Sequence, residues 1–186
     1  MCNVGGDLTL TNGGKMWVYS GATNTILPDY GALVSVTGAV SLAPGSWVYP
    51  YSNPTNGGSV LFRLGSLMVM TNAGVNADST GDTTTNLYIR KGYQYETGPG
   101  KGTGSAYGPG AGFGGAGGPC SGPVAGGSTY GSSNAPVGPG SGGGRVGSPP
   151  LQTGGSGGGA VRIEAGGSVT MNGTITAGGS FPVDSA

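Results

Sequence analysis

The chain has 186 residues, seven basic and seven acidic side chains, no histidine, and a formal net charge of zero. Charged residues make up only 8% of it, against about 25% in an average protein, which argues against gripping nucleic acid by phosphate neutralisation or anionic lipid by polybasic attraction. The missing histidine removes the commonest general base and the commonest transition-metal ligand together.

Other absences point the same way. No apolar run approaches the roughly 20 residues of a membrane helix, so no membrane insertion is expected. No charged-then-apolar leader is legible, so either such a segment was removed or the chain is a piece of something longer. Cysteine occurs twice, at Cys2 and Cys120, too few for a disulfide framework. One bridge between them and two unpaired thiols are both open readings. No spacing of Cys, Asp or Glu suggests a zinc site, and no cofactor or metal is expected.

In chain order, short apolar-alternating segments recur between glycines. Gly31–Gly38 (GALVSVTG), Gly58–Gly65 (GSVLFRLG) and Gly159–Gly166 (GAVRIEAG) share a length and a glycine at each end. A second short strand follows in each row: Leu8-Thr9-Leu10, Val40-Ser41-Leu42, Leu67-Met68-Val69 and Val169-Thr170-Met171. After a turn rich in Gly, Asn or Pro comes a third: Trp17-Val18-Tyr19, Trp47-Val48-Tyr49, Gly74-Val75-Asn76 and Thr174-Ile175-Thr176.

Side chains alternate across a strand, so aligned columns reveal the faces. The columns Leu8/Val40/Leu67/Val169 and Leu10/Leu42/Val69/Met171 are apolar throughout and should point inward. Val18/Val48/Val75/Ile175 reads as a third inward column, with Trp17 and Trp47, and Tyr19 and Tyr49, beside it on the outer face. In the first strand, Leu33/Val60/Val161 and Ser35/Phe62/Ile163 are expected inside and Val36/Arg63/Glu164 outside. Arg63 and Glu164 then sit on adjacent rows, an exposed pair contributing about 0–1 kcal/mol.

Fixed-format short repeats of this kind predict an all-β parallel β-helix or solenoid of about four short coils. The competing arrangement is a sandwich of antiparallel hairpins, which does not naturally keep columns at constant offsets from glycine. The expected organisation is coils over 1–78, a glycine-rich insert over 79–156, and a final coil over 157–186. The insert holds most of the 45 glycines but lacks strict Gly-X-Y spacing, which excludes a collagen helix. It is expected to fold as extended polyglycine/polyproline-II-like segments packed against the coils, with irregular ordered loops as the alternative.

The stretch GSGGGAVRIEAGGSVTMNGTITAGG (Gly155–Gly179), with TYGSSNAPVGPGSGGG (Thr129–Gly144), resembles the glycine-rich, β-helix-type repeat regions of bacterial surface proteins, including autotransporter-like passengers. The resemblance implies an extracellular or cell-surface location and a structural or adhesive role, and it carries no catalytic residues. The insert is also similar in composition to the polyglycine-II bundles of phage tail-tip adhesins and springtail antifreeze proteins.

Few constellations could carry chemistry. The acidic residues Asp7, Asp29, Asp78, Asp82, Glu96, Glu164 and Asp184 seldom share a column and none repeats between rows, so a polysaccharide-cleaving carboxylate pair is not expected and the chain reads as non-enzymatic. Asn76, Asp78 and Asp82 could hold calcium, although a polar turn explains them more simply. The Gly-x-Gly patterns lack the strand and helix of a nucleotide site. Trp17, Tyr19, Trp47, Tyr49 and Tyr51 form the candidate ladder, read either as a platform for glycan rings or as a face covered by the insert. The broken file Thr9/Ser41/Met68/Thr170 does not suit ice binding. Unpaired coil ends suggest end-to-end stacking into a homo-oligomer, a filament or surface layer.

Overall fold

The computed structural model describes the chain except for residues 24–29, 82–87, 90, 95, 105–107, 121–123, 133–136, 148–151, 182 and 185–186. Its strands are β1 (Cys2–Val4), β2 (Leu8–Leu10), β3 (Lys15–Tyr19), β4 (Ala32–Leu42), β5 (Trp47–Tyr51), β6 (Val60–Val69) and β7 (Gly74–Asn76). They continue with β8 (Thr80–Gly81), β9 (Tyr88–Ile89), β10 (Gln152–Thr153), β11 (Val161–Ala165), β12 (Val169–Met171), β13 (Thr174–Thr176) and β14 (Val183–Asp184). No helix occurs among the described residues.

The strands form two parallel sheets. One is six-stranded, ordered β1-β4-β6-β11 with β2 on β4 and β12 on β6; the other is four-stranded, ordered β13-β7-β5-β3. Four rows of chain are therefore stacked in sequence order through both sheets. Two small antiparallel pairs, β8–β9 and β10–β14, stand apart.

This corrects the expected parallel β-helix or solenoid. Among the described residues only two faces are made of strands, and no third strand face joins them into a closed coil. The return from β5 to β6 runs through irregular chain in which the Asn53 side chain accepts from the Thr55 and Asn56 amides, at 3.0 and 3.2 Å. Asn, Pro and Gly favour such local turns over a ladder.

Column alignment survives where turn lengths match. Leu8↔Val40↔Leu67↔Val169 and Leu10↔Leu42↔Val69↔Met171 pair as read from the sequence. Elsewhere the register differs. Four residues separate Leu10 from Lys15 and four separate Leu42 from Trp47, so in-register pairing opposes Lys15 to Trp47 and Trp17 to Tyr49. Val48 thus stacks on Met16 rather than Val18.

A bulge between Val36 and Ala39 similarly shifts the first strand: Ala32, not Leu33, opposes Val60, and Val34 opposes Phe62. The bulge also lets β4 run unbroken through what reads as two strands. Gly38 sits there because a side chain would collide with Gly6 and Asp7 of the row beneath, whose Asp7 Oδ1 accepts the Ala39 amide at 2.8 Å.

The core lies between the sheets and is aliphatic: Val34, Val36, Leu42, Phe62, Leu67, Val69 and Val75 are among its members. Its burial is deepest in the two middle rows. The last row is left uncovered, with Val169, Met171 and Ile175 exposed to 55%, 37% and 42%.

The glycine-rich segment forms almost no strand among its described residues, yet many of its backbone groups are hydrogen-bonded to one another. The Gly110 amide donates to Gly118 O, Gly117 to Gly127 O and Gly127 back to Gly110 O, each at 2.9 Å, closing a triangle of three chain segments. Another set links Tyr93, Gly140 and Gly158. This bundle docks on the irregular side of the rows through buried serines: Ser59 Oγ donates to Val137 O at 2.7 Å, and Ser79 Oγ to Gly157 O at 2.6 Å.

Such close backbone approach leaves no room for side chains. A Cβ on Gly127 would strike the backbone of Gly100, whereas one on Gly114 meets nothing. We expect Gly127→Ala to cost about 1–3 kcal/mol in denaturant unfolding and Gly114→Ala to leave the midpoint nearly unchanged. Leu42→Ala, in the middle of the core, should cost about 2–5 kcal/mol in the same experiment.

Candidate functional site

Strand alternation sends Trp17 and Tyr19 of β3 and Trp47, Tyr49 and Tyr51 of β5 to the outer face of the four-stranded sheet. All five predicted ladder residues therefore share one face. Trp17 stacks on Tyr49, with centroids 5.6 Å apart and planes at 16°; Tyr19 stacks on Tyr51 at 4.7 Å and 29°. The partners follow the two-residue register shift. Trp47 instead lies towards Gly74, where any side chain would collide with its ring.

The glycine bundle does not cover the first row of this face: Trp17 is 51% and Tyr19 69% exposed. In place of a third aromatic row comes a cation. Lys91 Nζ lies 4.8 Å from the Tyr49 ring centroid and 5.4 Å from that of Tyr51. Nothing in the sequence pattern placed Lys91 here, because it follows the rows rather than repeating within them.

The same Nζ donates to the backbone oxygen of Asn76 at 2.9 Å and to its Oδ1 at 2.6 Å. Asn76 Oδ1 also accepts the Asp78 amide at 3.0 Å, and Asp78 Oδ1 accepts the Gly178 amide at 2.5 Å. Asn76 Oδ1 and Asp78 Oδ1, read from the sequence as candidate calcium ligands, thus accept from protein donors, and Asp82 lies outside the described residues. Among the described residues no group of three or more His, Cys, Asp or Glu could hold a metal.

The other acidic residues with described side chains have structural partners. Asp7 supports the bulge, Glu96 faces Arg145 at 3.5 Å, and Glu164 receives Arg63 Nε at 2.8 Å and Arg162 Nη2 at 2.9 Å. The hydrogen bond from Arg63 holds the Glu164 carboxyl below its ordinary value. Asp29 lies outside the described residues, as does the side chain of Asp184. Cys2 is exposed on β1, Cys120 Sγ faces Val124 O at 3.7 Å, and the structure does not bridge the two thiols.

A second aromatic cluster, unmarked in the row pattern, forms where the bundle meets the rows. Phe113 and Tyr130 meet edge to face at 4.8 Å, and Tyr130 Oη donates to Pro139 O at 2.7 Å. With Tyr93, Asn56 and Ser59 they line a recess of about 230 Å³. Comparison with protein-family models, with curated proteins and with solved structures finds no match.

Burial holds the phenols of Tyr51, Tyr93 and Tyr130 above their ordinary 10.0, against which a hydrogen bond with Ser141 acts at Tyr130. Raised folded-state values mean that the native chain keeps protons the unfolded chain has released. Stability should therefore be intact below pH 10 and fall as pH rises through the raised values. Phenolate absorbance of the native protein should lag that of the denatured chain; coincident curves would remove this account.

Proposed function

We propose that this is a non-enzymatic structural or adhesive protein of the cell exterior that associates with copies of itself through its two open sheet edges. One observation carries the reading. At one edge β12 and β13 leave the inward-column residues Val169, Met171 and Ile175 uncovered, and at the other the same columns end at Leu8, Leu10 and Met16 of β2 and β3.

Among the described residues no strand pairs beyond β13 or beyond β3. An edge strand of a parallel ladder directs alternate N–H and C=O groups outwards and will pair with another chain. Each row rests on the last in register, from Leu8↔Val40 to Leu67↔Val169. A second copy placed with its β2 over β12 therefore continues both the hydrogen bonding and the apolar columns. That contact is head-to-tail and does not close on itself, so it generates a filament or layer. Low charge favours the same outcome, since little repulsion opposes it.

Purified protein viewed by electron microscopy across a concentration series should show fibres. Four rows at about 4.8 Å give an axial repeat of about 19 Å. Val169→Lys with Ile175→Lys, at exposed positions, should abolish fibres while leaving the fold intact. A wild-type protein that stays monomeric at high concentration overturns the reading.

A second reading rests on the exposed stacked pairs Trp17–Tyr49 and Tyr19–Tyr51, which offer flat apolar surface to sugar rings. Here the chain is a carbohydrate-binding module. A glycan array should then give binding to neutral polysaccharide that Trp17→Ala weakens about tenfold, a loss of about 1.4 kcal/mol; an array without signal removes this reading.

A further inference from the structure

Among the described residues Lys91 is the only buried charged side chain, with 4% exposure. Its backbone is pinned on both sides: its amide donates to Ser79 Oγ at 2.8 Å, and its carbonyl accepts the Ser52 amide at 3.0 Å. No described carboxylate forms an ion pair with it. A buried, unpaired ammonium is costly, and burial lowers the Lys91 pKa while the charge of Asp78 works in the opposite direction. Burial thus eases loss of a proton from Lys91, and the neutral amine that results is a nucleophile.

What it faces is a carboxamide. Nζ is 2.6 Å from Asn76 Oδ1, so the carbonyl carbon lies only one bond further on. The Asp78 amide donates to that same oxygen at 3.0 Å. A backbone N–H on a carbonyl oxygen polarises the carbon and stabilises the negative charge that addition would place on the oxygen. The Asn76 backbone is held in β7, where it stands opposite Thr176 of β13. Nucleophile and electrophile are therefore held together, with the Tyr49 and Tyr51 ring centroids 4.8 and 5.4 Å from Nζ.

We propose that Lys91 and Asn76 join in an intramolecular isopeptide bond. Neutral Nζ adds to Cγ of Asn76, forming the new C–N bond and moving the carbonyl electron pair onto Oδ1. Nζ then gives up one proton and Nδ2 takes one up. The electron pair returns, the Cγ–Nδ2 bond breaks, and ammonia leaves. Amine and carboxamide become amide and ammonia, with no oxidant, reductant or other co-reactant. The negative charge of Asp78 favours the positive charge that Nζ carries as it adds.

The product ties β7 to the start of the glycine-rich segment. It closes a covalent ring of chain from 76 to 91, with β8 and β9 inside it. The proposal stands apart from self-association and from glycan binding, and neither reading depends on it.

Mass spectrometry of the full chain tests it. The intact protein should weigh one ammonia less than its sequence. Asn-Gly pairs at 12–13, 56–57 and 172–173 can also shed ammonia through succinimides, so the digest decides. Trypsin should fail to cut after Lys91 and should release peptide 64–90 joined to peptide 91–101, again one ammonia light. Lys91→Arg and Asn76→Ala should each abolish the joined species. Formation should quicken with rising pH as the amine loses its proton. Should either variant fail to fold, the wild-type digest still answers. Cleavage after Lys91 with the two peptides separate, after prolonged incubation at neutral and alkaline pH alike, overturns the proposal.

Discussion

Everything in this chain hangs on stacking like side chains one strand apart. When parallel strands pair in register, residues in equivalent positions of successive rows lie one above another, and an aliphatic column buries itself by repetition. Leu10, Leu42 and Val69 do this on one sheet, and Met16, Val48 and Val75 face them from the other. Because the contacts are between neighbours in the stack, each row is stabilised by the rows on either side. The aromatic face obeys the same rule from outside: Trp17 rests on Tyr49 and Tyr19 on Tyr51 because their backbones are already one strand apart.

The glycine bundle follows a different rule, with backbone in place of side chains. Its segments approach so closely that amide and carbonyl groups of one run satisfy those of two neighbours. This answers the need to pair buried backbone groups without forming a ladder. It depends on the absence of Cβ atoms at the crossing points, which is why the composition of this stretch is so skewed. Serines at its border convert the join into hydrogen bonds, since a small hydroxyl can enter where a larger polar group would force the segments apart.

Sequence columns reveal the second strands and their inward residues because the rows share strand length there. They mislead where a turn or bulge changes the count: aligning Trp17 with Trp47 matches residue type, while the chain matches distance from Leu10 and Leu42. Alternation likewise fixes which residues share a face but not whether the sheets close into a coil, since that depends on connecting chain with no periodicity. The aromatic ladder was legible for the same reason as the core, being made of row residues. Lys91 was not, because it reaches Tyr49, Tyr51 and Asn76 only after an excursion that no repeat describes.

The burial gradient across the rows has a consequence for how the molecule comes apart. The outer rows have one neighbour each and the middle rows two, so opening should proceed inwards from the edges in small steps of low cost, well before global unfolding. The serines that fasten the bundle, Ser59 and Ser79, flank β6 and β7, the strands of a middle row. The molecule can therefore fray at either edge while its glycine-rich half stays attached, keeping its backbone network intact until the last rows give way.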